Sequence, residues 1–254
     1  MKTVCVIAWR DAKQIIRAPM YYLIAAFCTI IWFIVYRSSL TGFVMNSRQA
    51  QFGQAAEMNV HTTVFLQHVS VTNLIFIFAI PLLMMRAIAE EKKTRTFDLL
   101  LTSPIHAWQI SVGKFVGGAI AVLGLLAISA LYPASIALLT KISWSTLFAN
   151  YLGLLLLSLV YVAVGLFASS LTDSAMLSGF IGFVLCLLFF LVGQMVVDTD
   201  LEWLTAVKDY VSAGQQLYPF MLGNIRTSSI IYFLTAIGFF VFLSERVVES
   251  SRWR

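Results

Sequence analysis

Charge is what this chain has least of. Only 11% of its 254 residues are Asp, Glu, Lys or Arg, against about 25% in a typical soluble domain. With 60% of the residues hydrophobic, that scarcity excludes a water-soluble globular fold and leaves an integral membrane protein. Cysteine is scarce too. Cys5, Cys28 and Cys186 are scattered, the last two inside apolar runs, and no CxxC pair occurs, which argues against a disulfide framework or a structural zinc site. The stretch Met1–Arg17 lacks the compact apolar run of a cleavable signal and carries Asp11 with four basic residues, so it reads as retained.

Further absences concern chemistry. Pumps driven by protons or sodium place ionisable groups inside the membrane; the cores of the apolar runs here contain no Asp, Glu, Lys or Arg. A phosphate-binding loop needs GxxxxGK[ST], and Gly113-Lys114-Phe115 has neither the earlier glycine nor the hydroxyl. No nucleotide site is therefore expected in this chain, and energy for any work must enter from another polypeptide. His61 and His68, with Glu57 nearby, lack HExxH or a third ligand and read as solvated loop residues; His106 stands alone. Ser129, Ser158, Ser169, Ser170 and Ser178 lie in or beside the spans, where hydroxyls ordinarily bond helix backbone or a neighbouring helix. No metal, catalytic or cofactor-binding residue is assigned.

What is present is a set of apolar runs. Each crossing needs about 20 residues, and the sequence places six, near 20–37, 69–86, 113–139, 147–171, 174–197 and 228–245. Gly113-xxx-Gly117 and Gly165-xxx-Ser169 permit close helix contact. Ahead of the first span, residues 3–17 read as an amphipathic helix in the interface, with Val4, Cys5, Ala8, Trp9, Ala12, Ile15 and Ile16 on one arc and Lys2, Arg10, Lys13 and Arg17 on another. Pro19 favours a break behind it. The connections 41–68 and 198–229 are longer than needed to turn the chain. Within the second, the spacing from Leu201 to Val211 predicts a short interfacial helix capped by Asp198 or Asp200, and Leu217–Gly223 is placed at the membrane edge.

The fold class is therefore all-α integral membrane: six transmembrane helices, an N-terminal interfacial helix and a charged segment at 86–106. Six crossings put both termini on one face. Under that topology 12 of the 17 Lys and Arg share the face holding the termini and the 86–114 connection. The positive-inside rule makes that face cytoplasmic. Residues 86–104 are then a surface lever hung between spans. Glu91 and Arg95 are spaced as a favourable helical pair worth a few tenths of a kcal/mol, and Phe97, Leu100, Leu101 and Pro104 form an apolar stripe suited to a groove on a partner.

The same residues resemble a known hallmark. Ala89-Glu90-Glu91-Lys92-Lys93, then Thr96-Phe97-Asp98-Leu99-Leu100-Leu101-Thr102-Ser103-Pro104, then Trp108-Gln109-Ile110 and Gly113-Lys114-Phe115 resemble the ABC-2 type permeases. They are most like the branch of gliding-motility and nitrous-oxide-reductase-maturation permeases. Gly165–Asp173 looks like the end of that family's fourth span, and Tyr232–Leu243 with Ser251-Arg252-Trp253-Arg254 like its last span and basic tail. Arg95 stands where the family usually has glycine, Asp98 where it has Glu, and Ser251 where it has one Arg of the tail.

The resemblance implies a half-transporter of the bacterial inner membrane, exporter or motility-linked. Its partners would be cytoplasmic ABC ATPase subunits, which carry the ATP and Mg, and a second permease copy or homologue. An auxiliary membrane protein with a periplasmic domain belongs to the gliding branch; nucleic acid is not a partner. The lever would be the coupling segment, through Glu90, Glu91, Lys92, Phe97, Asp98, Leu100, Leu101, Thr102 and Pro104. The turn at Thr172 and Asp173 would be a second contact. The alternative is a non-transporting scaffold or assembly factor that recruits a cytoplasmic ATPase.

Overall fold

The structure is a computed structural model and describes residues 2–50, 61–95, 106–137, 143–192 and 210–251. Among these it is all helical: α1 (Lys2–Arg17), α2 (Pro19–Ala50), a π-helical turn (His61–Phe65) leading into α3 (Leu66–Met84), α4 (Ala89–Lys93), α5 (Ala107–Ala137), α6 (Trp144–Leu171), α7 (Ala175–Val192), α8 (Ala213–Met221) and α9 (Thr227–Ser250). Six of them are long and apolar enough to cross a membrane. Burial sorts them. In α6, 72% of the spanning window is inside the protein, and in the α3 window 61%, against 22% for α7. α6 is therefore the central post and α3 its neighbour, while α2, α7 and α9 turn large apolar faces outward.

Two helices outrun the runs of hydropathy that announced them. α2 has 32 residues, about 48 Å at 1.5 Å per residue, so its Arg37–Ala50 portion projects beyond a hydrocarbon layer of roughly 30 Å. α5 begins at Ala107, six residues before the apolar stretch, so Lys114 lies on its third turn and not in a loop. The segment read as one long connection from 41 to 68 is helical at both described ends. The segment expected to form an interfacial helix from Leu201 lies outside the described residues, apart from Tyr210 and Val211. Beyond it, α8 buries Leu217 and Phe220, its Ser212 hydroxyl accepting from the Gln215 N–H at 3.2 Å as an N-cap.

His61 and His68 correct the sequence reading of solvated loop residues. His68 is 1% exposed and its Nε2 lies 2.9 Å from Ser129 Oγ. His61 Nε2 faces the Asn150 amide oxygen at 3.1 Å, while the Asn150 nitrogen donates to the Phe220 and Met221 carbonyls. The partners come from other helices, which spacing along one segment does not reveal. The Ser129–His68 pair is not open to substrate: Ser129 is wholly buried, and among the described residues His68 Nδ1 has no hydrogen-bond partner to orient it.

α2, α3, α5, α6, α7 and α9 alternate in direction, so the end of the bundle carrying α1 also carries the turn after α3, α4, the start of α5, the Leu171–Ala175 turn and the end of α9. This basal end holds the site.

Candidate functional site

α3 ends at Met84, and the chain turns through residues 85–88 into α4. The turn leaves backbone groups that no helix satisfies. Ser169, in the last turn of α6, supplies them. Its hydroxyl accepts from the N–H groups of Ile88 (2.9 Å) and Ala89 (3.0 Å) and donates to the Met85 carbonyl (3.2 Å). Gly165, one turn earlier, lets Met84 approach so closely that a Cβ there would lie 2.8 Å from Met84 Cβ. The Gly165-xxx-Ser169 spacing thus docks the end of α3 and starts α4. Lys92 completes the tie, its Nζ donating to the Ser170 carbonyl at 2.6 Å.

The other side of α4 meets charge. Lys114 is 2% exposed, a position lysine tolerates only when paired. Its ammonium has three donors, and three acceptors surround it: Asp11 Oδ2 at 3.1 Å, Glu91 Oε1 at 2.9 Å and the Ala87 carbonyl at 2.6 Å. Arg10 closes the cluster from outside, Nε to Asp11 at 2.9 Å and Nη2 to Glu91 at 3.1 Å. Two cations face two carboxylates, so the group is neutral as a whole. Exposure of the side chains rises from Lys114 (2%) through Asp11 (9%) and Glu91 (18%) to Arg10 (48%).

Asp11 reaches this position because α1 lies unusually close to α5. A Cβ on Gly113 would sit 2.8 Å from Ile7 Cγ2, and one on Gly117 would sit 3.1 Å from the Ala8 carbonyl oxygen. The two glycines form a groove into which the α1 backbone settles. The apolar arc expected on α1 is thereby split. Ala8 and Ala12 turn into α5 together with Ile7 and Asp11, while Cys5 and Trp9 stay exposed, Lys13 Nζ lying 4.9 Å over the Trp9 ring. The cluster thus links three elements that are distant in sequence: α1, α4 and α5.

The family model that matches residues 5–235 is described as ABC-2 family transporter protein. The chain belongs to the ABC-2 transporter family. As an ABC-2 permease it is the membrane component of an ATP-binding-cassette transporter and associates with a separate ABC ATPase subunit. The matched stretch contains every residue of the charge cluster. No curated protein matches the chain.

Of the residues singled out for this permease, Glu90, Glu91 and Lys92 lie on α4, and Thr172 and Asp173 on the neighbouring turn between α6 and α7. Thr172 is half-buried and Asp173 exposed; the Thr172 hydroxyl accepts from the Ser174 N–H at 3.2 Å. Phe97, Asp98, Leu100, Leu101, Thr102 and Pro104 lie outside the described residues. The surface lever expected over 86–104 does not form as one continuous helix in its described part, 86–95. α4 has five residues, and Arg95 beyond it takes φ 58°, the left-handed conformation that glycine adopts freely and an L side chain does not. The bend is thus made with arginine in the place of the family's glycine. Glu91, spaced for a pair with Arg95, is turned instead onto Lys114 and Arg10. Sequence reasoning missed Arg10, Asp11, Lys114 and Ser169 as members of one site. The signals that pointed that way were an aspartate within a basic amphipathic helix and the Gly113-xxx-Gly117 and Gly165-xxx-Ser169 spacings.

Proposed function

We propose that this permease is the membrane half of an exporter or motility-linked force transducer, driven by an ATPase subunit that grips the 86–104 segment from the cytoplasm. The distribution of Lys and Arg supports a cytoplasmic basal end and the bacterial inner membrane. A second permease copy or a homologue would complete the pathway. The observation that carries the reading is the buried Asp11–Lys114–Glu91 cluster, which ties α4 to α1 and the third crossing helix. A push on α4 would then move these elements as one body. Rigid-body switching of this kind needs packed alternatives, not catalytic side chains. The resemblance to the gliding and nitrous-oxide-reductase branch supports an auxiliary membrane partner in the same assembly.

The division of labour on α4 follows from exposure. Glu91 and Lys92 face inward and serve the permease itself. Glu90, with 46% of its side chain exposed, is the acidic group of α4 left to the ATPase; Phe97, outside the described residues, is assigned to it by the resemblance and by its place in the apolar stripe of the sequence. F97A and E90K are expected to weaken co-purification of the ATPase subunit by about tenfold or more while the permease still inserts. Unchanged capture by both variants would overturn the reading. In proteoliposomes the intact permease should stimulate ATP hydrolysis; firm binding without stimulation would favour the scaffold.

A further inference from the structure

Between α1 and the end of α3 a cleft of about 510 Å³ opens at the basal end. Its lining changes character along its length. Arg10, Gln14, Arg86 and Glu90 line it on α1 and beyond the end of α3, toward the basal end; Met20, Tyr21, Leu82 and Leu83 line it on the first turn of α2 and the last turn of α3, toward the spans. That order, charge and then hydrocarbon, is the order in which a phospholipid enters a leaflet. The volume lies in the range of pockets that hold small ligands, about 300–1,000 Å³, enough for a headgroup and glycerol but not for two acyl chains. A path for the chains continues from it. Leu82 (39% exposed), Phe78 (50%) and Leu74 (45%) follow one another at intervals of one turn along the outer face of α3.

The charges select the headgroup. Asp11 and Glu91 are held at 2.9–3.1 Å by Arg10 and Lys114. Arg86 and Glu90 are different: their contact is 4.0 Å long, and both side chains are about half exposed. One cation and one anion therefore stand a helical turn apart in the cleft, loosely paired. A guanidinium binds a phosphate through two parallel N–H donors, and a carboxylate accepts from an ammonium that has N–H groups to give. A choline has no such donor, and a glycerol headgroup offers Glu90 no positive charge. We propose that the cleft holds one zwitterionic glycerophospholipid with a primary ammonium headgroup, its phosphate on Arg86, its ammonium at Glu90 and a chain along Leu82, Phe78 and Leu74. The lipid then fills the wedge between α1 and α3.

The test is native mass spectrometry of the full-length permease in mild detergent, titrated with phosphatidylethanolamine, phosphatidylcholine and phosphatidylglycerol of matched chains. One phosphatidylethanolamine should bind about tenfold more tightly than either competitor. R86Q should weaken all three lipids, and E90Q should abolish the preference of phosphatidylethanolamine over phosphatidylglycerol. Soluble glycerophosphoethanolamine should fail to displace the lipid; displacement would assign the site to a soluble ligand and overturn the proposal. No headgroup preference in the unmodified protein would overturn it without recourse to any variant. So would a preference that both variants retain, the mark of lipid bound elsewhere on the surface.

Discussion

Replacing Lys114 with methionine is expected to lower stability by about 3 kcal/mol, the lower end of what removing one member of a buried ion pair costs. The loss comes chiefly from what remains. Asp11 and Glu91 would be left facing each other beneath Arg10, and the Ala87 carbonyl would lose its donor. Water reaches the rim of the cluster, since Glu91 keeps 18% of its side-chain surface, and this holds the cost to the lower end. A shift in the melting temperature of the detergent-solubilised protein, read by intrinsic fluorescence, measures it. The triple variant D11N/E91Q/K114M separates repulsion from attachment. Replacing a whole buried ionic group by neutral side chains is often nearly free, so most of the melting temperature should return. Stimulation of the ATPase subunit should not, because α4 would no longer be tied by charge to α1 and α5. Full recovery of both would mean that the cluster serves stability alone.

The second large effect concerns the groove. G117L places a branched side chain where a bare Cβ would already lie 3.0 Å from Asp11 Cβ and 3.1 Å from the Ala8 carbonyl oxygen. The Ala8 carbonyl belongs to a helix backbone and cannot swing aside. Overpacking of this kind costs about 1–3 kcal/mol, and the cheapest escape is for α1 to leave. Hydrogen exchange over residues 4–16 should therefore accelerate by about tenfold or more, the equivalent of 1.4 kcal/mol of lost protection. G238L is the control: a Cβ at Gly238 meets nothing within 4 Å, and α1 should exchange as in the unmodified protein. Unaltered protection of α1 in G117L would contradict the docking described here.

These two sites also show what the sequence makes legible. Six crossings and a helical N-terminal segment follow from run length and periodicity, because lipid imposes its demand residue by residue. α1 was readable as a helix, but its buried face was not. Periodicity assumes that apolar side chains seek one apolar partner, whereas α1 seeks a groove made by Gly113 and Gly117 and pays for Asp11 with a lysine 103 positions away. Glu91 was legible as charged and helical, and its i+4 neighbour Arg95 was the local choice. A buried ammonium with one donor left over from Asp11 and the Ala87 carbonyl outcompetes that neighbour, and nothing within a window of local sequence reports it. Hydropathy begins at Gly113 and leaves Lys114 at the end of the 86–114 connection, although the helix starts at Ala107. His68 was misplaced for a related reason, its partner Ser129 standing on another helix. Arg95 was the opposite case. The resemblance marked a glycine position, and the backbone keeps the glycine conformation there at φ 58°.

The central claim is that the segment after α3 is presented to a cytoplasmic ATPase. Lys93, exposed at the end of α4, reports it with the least disturbance. Cys5 is exposed as well, so the measurement uses K93C in a C5S background, with Cys28 and Cys186 left buried in the bundle. A membrane-impermeant maleimide applied to sealed vesicles of each orientation should modify K93C from the cytoplasmic face only. Bound ATPase subunit should slow that modification by about tenfold or more. Labelling from the opposite face, or a rate indifferent to the ATPase subunit, would contradict the account.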